Sequence, residues 1–247
     1  PCLIESALVA DPPLRQVVSR TFEAGLRGLV PVSEGKIDWK IGAYRTDVTD
    51  DIITTASNIQ GRGFFQNVAA TRRQGIEAGA QYTAPRWLAY ANYSFIDATY
   101  QFNGTIASPN NPMADADGNI FVSPGNKIPA IPAHQFKAGA DLSVTDAWKI
   151  GLDVAVVGSQ YFRGDDSNLN EKVPAYWVTN LHTSYQLTKE LQVFGLVTNL
   201  FNQRYYTYGT YFALDGVAKA VNFTFSDPRT VTPAQPLAVY GGLKIKL

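Results

Sequence analysis

Few side chains in this chain have the types and spacing that do chemistry. The histidines are His134 and His182, and Cys2 is the sole cysteine. Nothing in their spacing signals a Ser/His/Asp or Cys/His nucleophile arrangement, so the chain does not read as an enzyme. The stretch Asp115-Ala116-Asp117-Gly118-Asn119 has the flavour of a calcium loop but lacks the full ligand spacing and the distant Glu. A plain polar turn fits it better. Asp165 and Asp166, directly after Arg163 and Gly164, offer charge for a ligand or form a solvated loop tip, and the tip is the simpler assignment. Cys2 is either half of a disulfide whose partner lies upstream or an inert thiol. No cofactor and no protein metal ligand is expected.

The composition bounds the partners. Lys and Arg total 21, as do Asp and Glu, so the net charge is zero. That argues against nucleic acid, whose binders carry a basic footprint. Charged residues make up 17%, below the roughly 25% of an average soluble domain, and 13 Tyr with 13 Phe raise the aromatic content. Few charges and many aromatics suit a surface that meets lipid. No apolar run approaches the roughly 18 residues of a membrane helix. A membrane barrel stays open, because its strands alternate and carry only a weak signal.

Alternation is the dominant pattern, and it predicts the elements that must position any site. Leu237, Val239, Gly241, Leu243, Ile245 and Leu247 share one face, with Tyr240, Lys244 and Lys246 on the other. Phe136, Ala138, Ala140 and Leu142 oppose Lys137 and Asp141; Ile150, Leu152, Val154 and Val156 oppose Lys149 and Asp153. A slip by one residue would turn lysines and aspartates into the apolar face, so the register is well specified. Nine strands are expected, near 19–30, 37–52, 71–83, 87–101, 134–144, 148–162, 175–187, 191–206 and 237–247. Alternation is poor in 37–52 and 191–206, where a bulge would shift the phase. The polar face is predicted to carry Glu77, Gln81, Lys137, Asp141, Lys149, Asp153, Asn180, His182, Lys244 and Lys246. Lys149 falls diagonal to Asp141, and Lys137 to Asp153, within side-chain reach. Mixed charges of this kind either face a plug or a passing solute or simply keep the lumen wet, and the second is favoured for each residue.

The connections alternate strictly. Pro31–Lys36, Ala84–Arg86, Thr145–Ala147 and Thr188–Glu190 are short, whereas 53–70, 102–133, 163–174 and 207–236 are long. Transmembrane barrels have tight periplasmic turns and long extracellular loops in this order. Trp39, Trp87 and Trp148 follow short turns and Trp177 follows a long loop, as two interfacial aromatic girdles would require. The expected fold is therefore an all-β, antiparallel, up-and-down transmembrane β-barrel. An odd number of strands cannot close one, and open edges are not tolerated in lipid, so further strands must come from elsewhere.

Specific motifs sharpen this. Thr21 to Gly28, with Glu23 and Gly25, and the strand from Ile37 through Tyr44 to Ile52 resemble successive barrel strands of TonB-dependent receptors. Asn67 followed by Thr71-Arg72-Arg73-Gln74-Gly75-Ile76-Glu77 resembles that family's "N…TRRxGxE" strand. Ile128 to His134 resembles its "iPgvPxH" loop end; Thr198-Asn199-Leu200-Phe201 through Tyr205 resembles "NLFDxxY". Tyr240 to Leu247 is similar to the C-terminal insertion signal of outer-membrane barrels. The chain departs from the family in ending on Leu247 instead of Phe, and in carrying Pro233-Ala234-Gln235-Pro236 where "PGxPR" is common.

The resemblance implies the last nine strands of a barrel of about 22 strands. Residues 1–18 would be the remnant of an extracellular loop and 19–247 the C-terminal barrel portion. The plug domain and the TonB-contacting segment, which the family carries N-terminally, are not contained in this chain. The implied function is energy-coupled uptake of a scarce solute across the outer membrane of a Gram-negative bacterium, with a ferric siderophore as the commonest cargo and the TonB complex, outer-membrane lipid and the plug as partners. Tyr161, Arg163, Tyr176, His134 and Asp165 are the candidate ligand contacts, though a water-exposed rim is the simpler place for His134. Two alternatives are a passive porin-like channel, which lacks a plug, and a soluble all-β binding module, which would fold without detergent.

Overall fold

A computed structural model describes residues 7–8, 11–57, 62–212 and 227–246. Cys2, Leu247 and the tip of the last long loop lie outside the described residues. The strands are β1 (Ala7–Leu8), β2 (Val18–Val32), β3 (Gly35–Ala56), β4 (Arg62–Thr83), β5 (Trp87–Tyr100), β6 (Gly104–Ala107), β7 (Asn119–Val122) and β8 (His134–Ser143). They continue with β9 (Trp148–Val157), β10 (Gln160–Tyr161), β11 (Lys172–Val173), β12 (Tyr176–Gln186), β13 (Leu191–Thr198), β14 (Tyr206–Tyr211), β15 (Arg229–Pro233) and β16 (Ala238–Ile245).

Nine of these form one antiparallel up-and-down sheet in the order β16-β13-β12-β9-β8-β5-β4-β3-β2, which is the arc of barrel wall that the alternation predicts. β1 adds in parallel to the free outer stretch of β4, with Ala7 opposite Arg62. The short hairpins β6–β7, β10–β11 and β14–β15 are built inside three of the long connections.

Register sorts every side chain onto one of two faces, because directly paired residues of antiparallel strands point the same way. Across the middle of the sheet one row reads Ala140, Leu152, Leu181 and Val197, and a neighbouring row on the same face reads Phe136, Val156 and Trp177. That face carries Leu26, Ile41, Ala78, Tyr93, Val193 and Leu243 elsewhere, and no charged residue in its central rows. Large apolar side chains on it stand exposed, among them Leu26 at 70% and Val239 at 72%. A soluble protein does not leave such an expanse to water, so this is the hydrocarbon-facing outside of a transmembrane barrel. Trp39, Trp87 and Trp148 edge it at the short-turn end. Trp177, packed 5.5 Å from Phe201, edges it at the long-loop end.

Three expectations need correction. The connection read as a loop at 53–70 is mostly strand, since β3 and β4 run 22 residues each. Alternating β-branched and aromatic residues there (Ile53, Thr55, Phe65) extend the hairpin beyond the sheet. The 148–162 strand stops at Val157, and Gln160 and Tyr161 join a separate hairpin. The 191–206 strand stops at Thr198, because Asn199 takes a left-handed conformation (φ 50°).

The weak alternation has a different cause in each of the two expected bulge regions. β13 pairs in unbroken register on both sides and is apolar on both faces, with Phe194 and Leu196 on the inner one. β3 also keeps its register, but Asp50 is left-handed (φ 54°) and turns the chain over. Asp51 beyond it accepts from Thr71 Oγ1 at 2.6 Å and ion-pairs Arg73 on the inner face.

Candidate functional site

Two polar regions occupy the inner side. The first lies in the wall itself. His182 Nε2 is 2.7 Å from Asp141 Oδ1 and its Nδ1 is 3.3 Å from Asp153 Oδ2. The Tyr90 hydroxyl donates to Asp153 at 2.7 Å. The carboxylates thus turn to His182 and Tyr90, and not to the diagonal Lys137 and Lys149. The cause is steric: Gly151 and Gly139 lie between the partners, and a Cβ on Gly151 would overlap both His182 Nε2 and Asp141 Oδ1. Glycine thereby opens a short path across the strands that a long lysine is not needed to span.

The second region is a cap made by the long connections. Val68, Tyr100, Ile106, Ile120 and Val122 form its first apolar core, and Phe162, Val173 and Tyr211 a second. Each of these side chains is 6% exposed or less, so the connections are packed structure, joined to the ends of β4 and β5 through Val68 and Tyr100. Asp165 locks them together. Its carboxylate accepts from the Asn170 backbone N–H at 3.1 Å, from Asn170 Nδ2 at 2.9 Å and from the Leu169 N–H at 3.2 Å. The Gly164 carbonyl before it accepts from Ser108 Oγ and Asn111 Nδ2, each at 2.7 Å.

Between these loops and the outer end of β3 lies a cavity of about 390 Å³. Its walls include Phe65, Tyr100, Arg163, Asp166, Tyr208, Thr210, Tyr211 and Phe212. Asp166 sits against Tyr100, whose hydroxyl donates a hydrogen bond to it. Burial pushes the Asp166 carboxyl up to about 6, against the lowering effect of that hydrogen bond. Burial, with the Asp165 carboxylate nearby, likewise pushes the Tyr211 phenol up to about 12.

The five candidate ligand residues separate. Arg163 lines the cavity, with its backbone bridged to Thr210 of β14. Asp165 is fully buried in the loop knot (0% exposed), so neither a ligand contact nor a solvated tip describes it; its neighbour Asp166 reaches the cavity. Tyr161 lies in the separate β10–β11 hairpin and not in the wall sheet, with the Lys172 ammonium 4.6 Å from its ring centroid. Tyr176 is on the inner face, stacked on Tyr205 at 4.3 Å. His134 is on the outer face, where its Nδ1 is 2.8 Å from the Tyr93 hydroxyl and its ring 5.1 Å from Phe95. It belongs to the aromatic edge and not to a ligand rim. Asp115 closes the β6–β7 turn by accepting from the Asp117 and Asn119 N–H groups at 3.0 and 2.8 Å, as a plain polar turn does. Tyr100, Tyr208 and Tyr211 carried no sequence signal for the cavity, because loop packing alone brings them together.

The motif residues have structural places. Asn67 donates to the Asp50 carbonyl at 2.6 Å, holding the strand reversal, and accepts from the Arg15 N–H at 2.6 Å. Asn199 is 2% exposed; its side chain bonds the Gln203 N–H and carbonyl and the Gln235 carbonyl at 2.8–3.1 Å. Leu200 donates its N–H to the Thr179 carbonyl, and Phe201 meets Trp177. Glu23, Gly25, Gly75 and Glu77 follow the inner-face register, and Arg72 the outer.

An outward apolar belt, an inward polar wall and a packed cap at one end define a transmembrane barrel of the receptor type. The profile of the TonB dependent receptor-like β-barrel matches residues 5–200, and the chain belongs to that family. It is 24% identical over 206 residues to a vitamin B12 transporter, BtuB, of Photobacterium profundum, covering 81% of this chain and 29% of that protein. It is 25% identical over 193 residues to the metal-pseudopaline receptor CntO of Pseudomonas aeruginosa, covering 76% and 24%. Among solved structures, the ferric-catecholate import receptor Fiu of E. coli K12 aligns over 96% of this chain and 30% of its own, with TM-score 0.64 and 18% identity. The copper transporter OprC aligns over 94% and 31%, with TM-score 0.65 and 16% identity. The chain thus spans less than a third of the length of these relatives.

Proposed function

We propose that this chain supplies part of the wall and cap of an energy-coupled outer-membrane receptor of a Gram-negative bacterium, and that the cap cavity is part of its capture site for a ferric siderophore. The long-loop end is then extracellular and the short turns periplasmic. The plug and the TonB-contacting segment belong to the rest of the receptor.

The observation that carries this is the cavity. It combines the aromatic residues Phe65, Tyr100, Tyr208, Tyr211 and Phe212 with one arginine, Arg163, and one carboxyl group, Asp166, which is engaged by the Tyr100 hydroxyl. Aromatic rings beside a guanidinium suit planar, negatively charged arms such as those that hold iron in a chelate. The volume admits one such arm and not a whole chelate, so other loops of the receptor would complete the site. The ferric-catecholate receptor among the structural neighbours and the metal-pseudopaline receptor among the relatives fit the same class of cargo.

The test is uptake of radiolabelled iron by cells whose sole siderophore receptor is the full protein, with and without TonB. Uptake of a ferric siderophore that stops without TonB, and that falls about tenfold or more in Arg163→Ala with Tyr208→Ala, is the expected result. Uptake that persists without TonB would assign a passive channel instead. Unchanged affinity of the double variant for every ferric chelate tried would remove the cavity from the capture site.

A further inference from the structure

The outer face changes character abruptly beyond its aromatic edge. Phe95 and His134 occupy one row at that edge, in line with Ala24, Ala43 and Ile76. The next outward row in the register is Phe22, Arg45, Gln74 and Asp97; the one after is Arg20, Asp47, Arg72 and Thr99. Three arginines on three adjacent strands therefore stand on the lipid side of the wall, immediately past the hydrocarbon belt. A ligand or a plug on the inner side does not meet them.

The charges are arranged and not merely scattered. Asp47 accepts from Arg45 Nε at 2.9 Å and from Arg72 Nε at 2.7 Å, so one carboxylate orients two guanidinium forks. Arg72 engages Asp47 through Nε, which leaves its Nη groups for a further oxygen acceptor. Arg20, opposite Asp47 in the register, has no ion pair among the described residues. Asp97 is engaged by Lys127 and by Gln74 Nε2, the latter at 3.1 Å. Four cations (Arg20, Arg45, Arg72, Lys127) face two carboxylates (Asp47, Asp97), so the patch is positive.

We propose that this patch binds the phosphate group of an anionic lipid of the outer leaflet, whose acyl chains run down the apolar face below it over Phe22, Ala43 and Ile76. The depth is right, because headgroups begin where the aromatic edge ends. The chemistry is right, because planar guanidinium forks match phosphate oxygens bidentately and a headgroup-level cluster of basic residues attracts anionic lipid. A free phosphate would lack the contact with the apolar face. The proposal needs the membrane orientation given above but not the identity of the cargo.

The experiment uses the full receptor purified in detergent and native mass spectrometry. The probes are bisphosphorylated lipid A, the same lipid with both phosphates removed, and inorganic phosphate. Wild-type receptor should retain the phosphorylated lipid, and Arg20→Gln/Arg45→Gln/Arg72→Gln should weaken retention roughly a hundredfold for three lost charges. Lys40→Gln/Lys137→Gln, on the inner face, should leave it unchanged. Arg45→Lys/Arg72→Lys keeps the charge and removes the forks, so intermediate retention by this variant supports the bidentate contact even if the triple variant fails to assemble. Equal retention of both lipids, equal retention by wild type and the lysine variant, or displacement of the lipid by millimolar inorganic phosphate would each overturn the proposal.

Discussion

Replacing Leu152 by arginine probes the orientation of the wall directly. On β9 the outer-face residues run from Trp148 at the short-turn edge to Val156, whose row ends on Trp177. Leu152 is four residues from Trp148, about 13 Å along the strand at ~3.3 Å per residue. With the strand tilted by about 40°, that is about 10 Å into an apolar band about 25 Å tall, near its middle. Its neighbours in the row are Ala140 and Leu181, so no acceptor awaits a guanidinium there. The expected cost is about 2–4 kcal/mol. It would be read as a lower urea midpoint of the receptor refolded in lipid vesicles, with loss of the heat-modifiable band on gels. Asp153→Asn is the control, one residue along and on the opposite face. It weakens the contacts with Tyr90 and His182 and should cost about 1 kcal/mol. If the arginine were harmless and the asparagine more damaging, hydrocarbon would not be on the Leu152 side, and the assignment of faces would be wrong.

Gly151→Ala should separate His182 from Asp141 and cost about 1–3 kcal/mol; restored stability in Gly151→Ala/His182→Ala, measured by the same urea titration, would confirm the steric cause, and additive losses would deny it. Asn199→Ala removes three side-chain hydrogen bonds and leaves alanine in a left-handed conformation, so about 2–4 kcal/mol and slower barrel assembly are expected. Asp166 gives the cap a pH dependence. Its folded value of about 6 is raised above the usual 3.8, so its stabilising effect is complete below the latter and lost as pH rises through the former. Protection factors of loops 102–133 and 163–174, the observed hydrogen exchange corrected for its intrinsic base catalysis, should therefore fall between about pH 4 and about pH 7. Asp166→Asn should flatten that profile, and an unchanged slope would point to a different group.

Much of the wall was legible because the bilayer imposes one rule on every strand. Lipid on one side and water or protein on the other make a period of two visible in Phe136 to Leu142, in Ile150 to Val156 and in Val239 to Ile245, and the alternating loop lengths set the two ends. Where two environments change along a strand the pattern failed. Arg45 and Asp47 leave the hydrocarbon without changing face, and Phe194 and Leu196 turn apolar side chains inward.

The cap was not legible, because its packing joins loops far apart in the chain with no period to mark them. Asp165 reads as a solvated tip until Asn111, Ser108 and Asn170 close around it. His134 reads as a water-exposed rim residue with a ligand contact as the alternative, and only the register puts it on the outer face beside Tyr93. The sequence by itself thus determined the order of the nine wall strands, their two faces and the family resemblance, though not where β3, β4, β9 and β13 end. Only the tertiary structure decided which loop residues share a cavity, which carboxylates His182 joins across two glycines, and which arginines gather past the lipid edge, since each depends on distances between strands that no local spacing encodes.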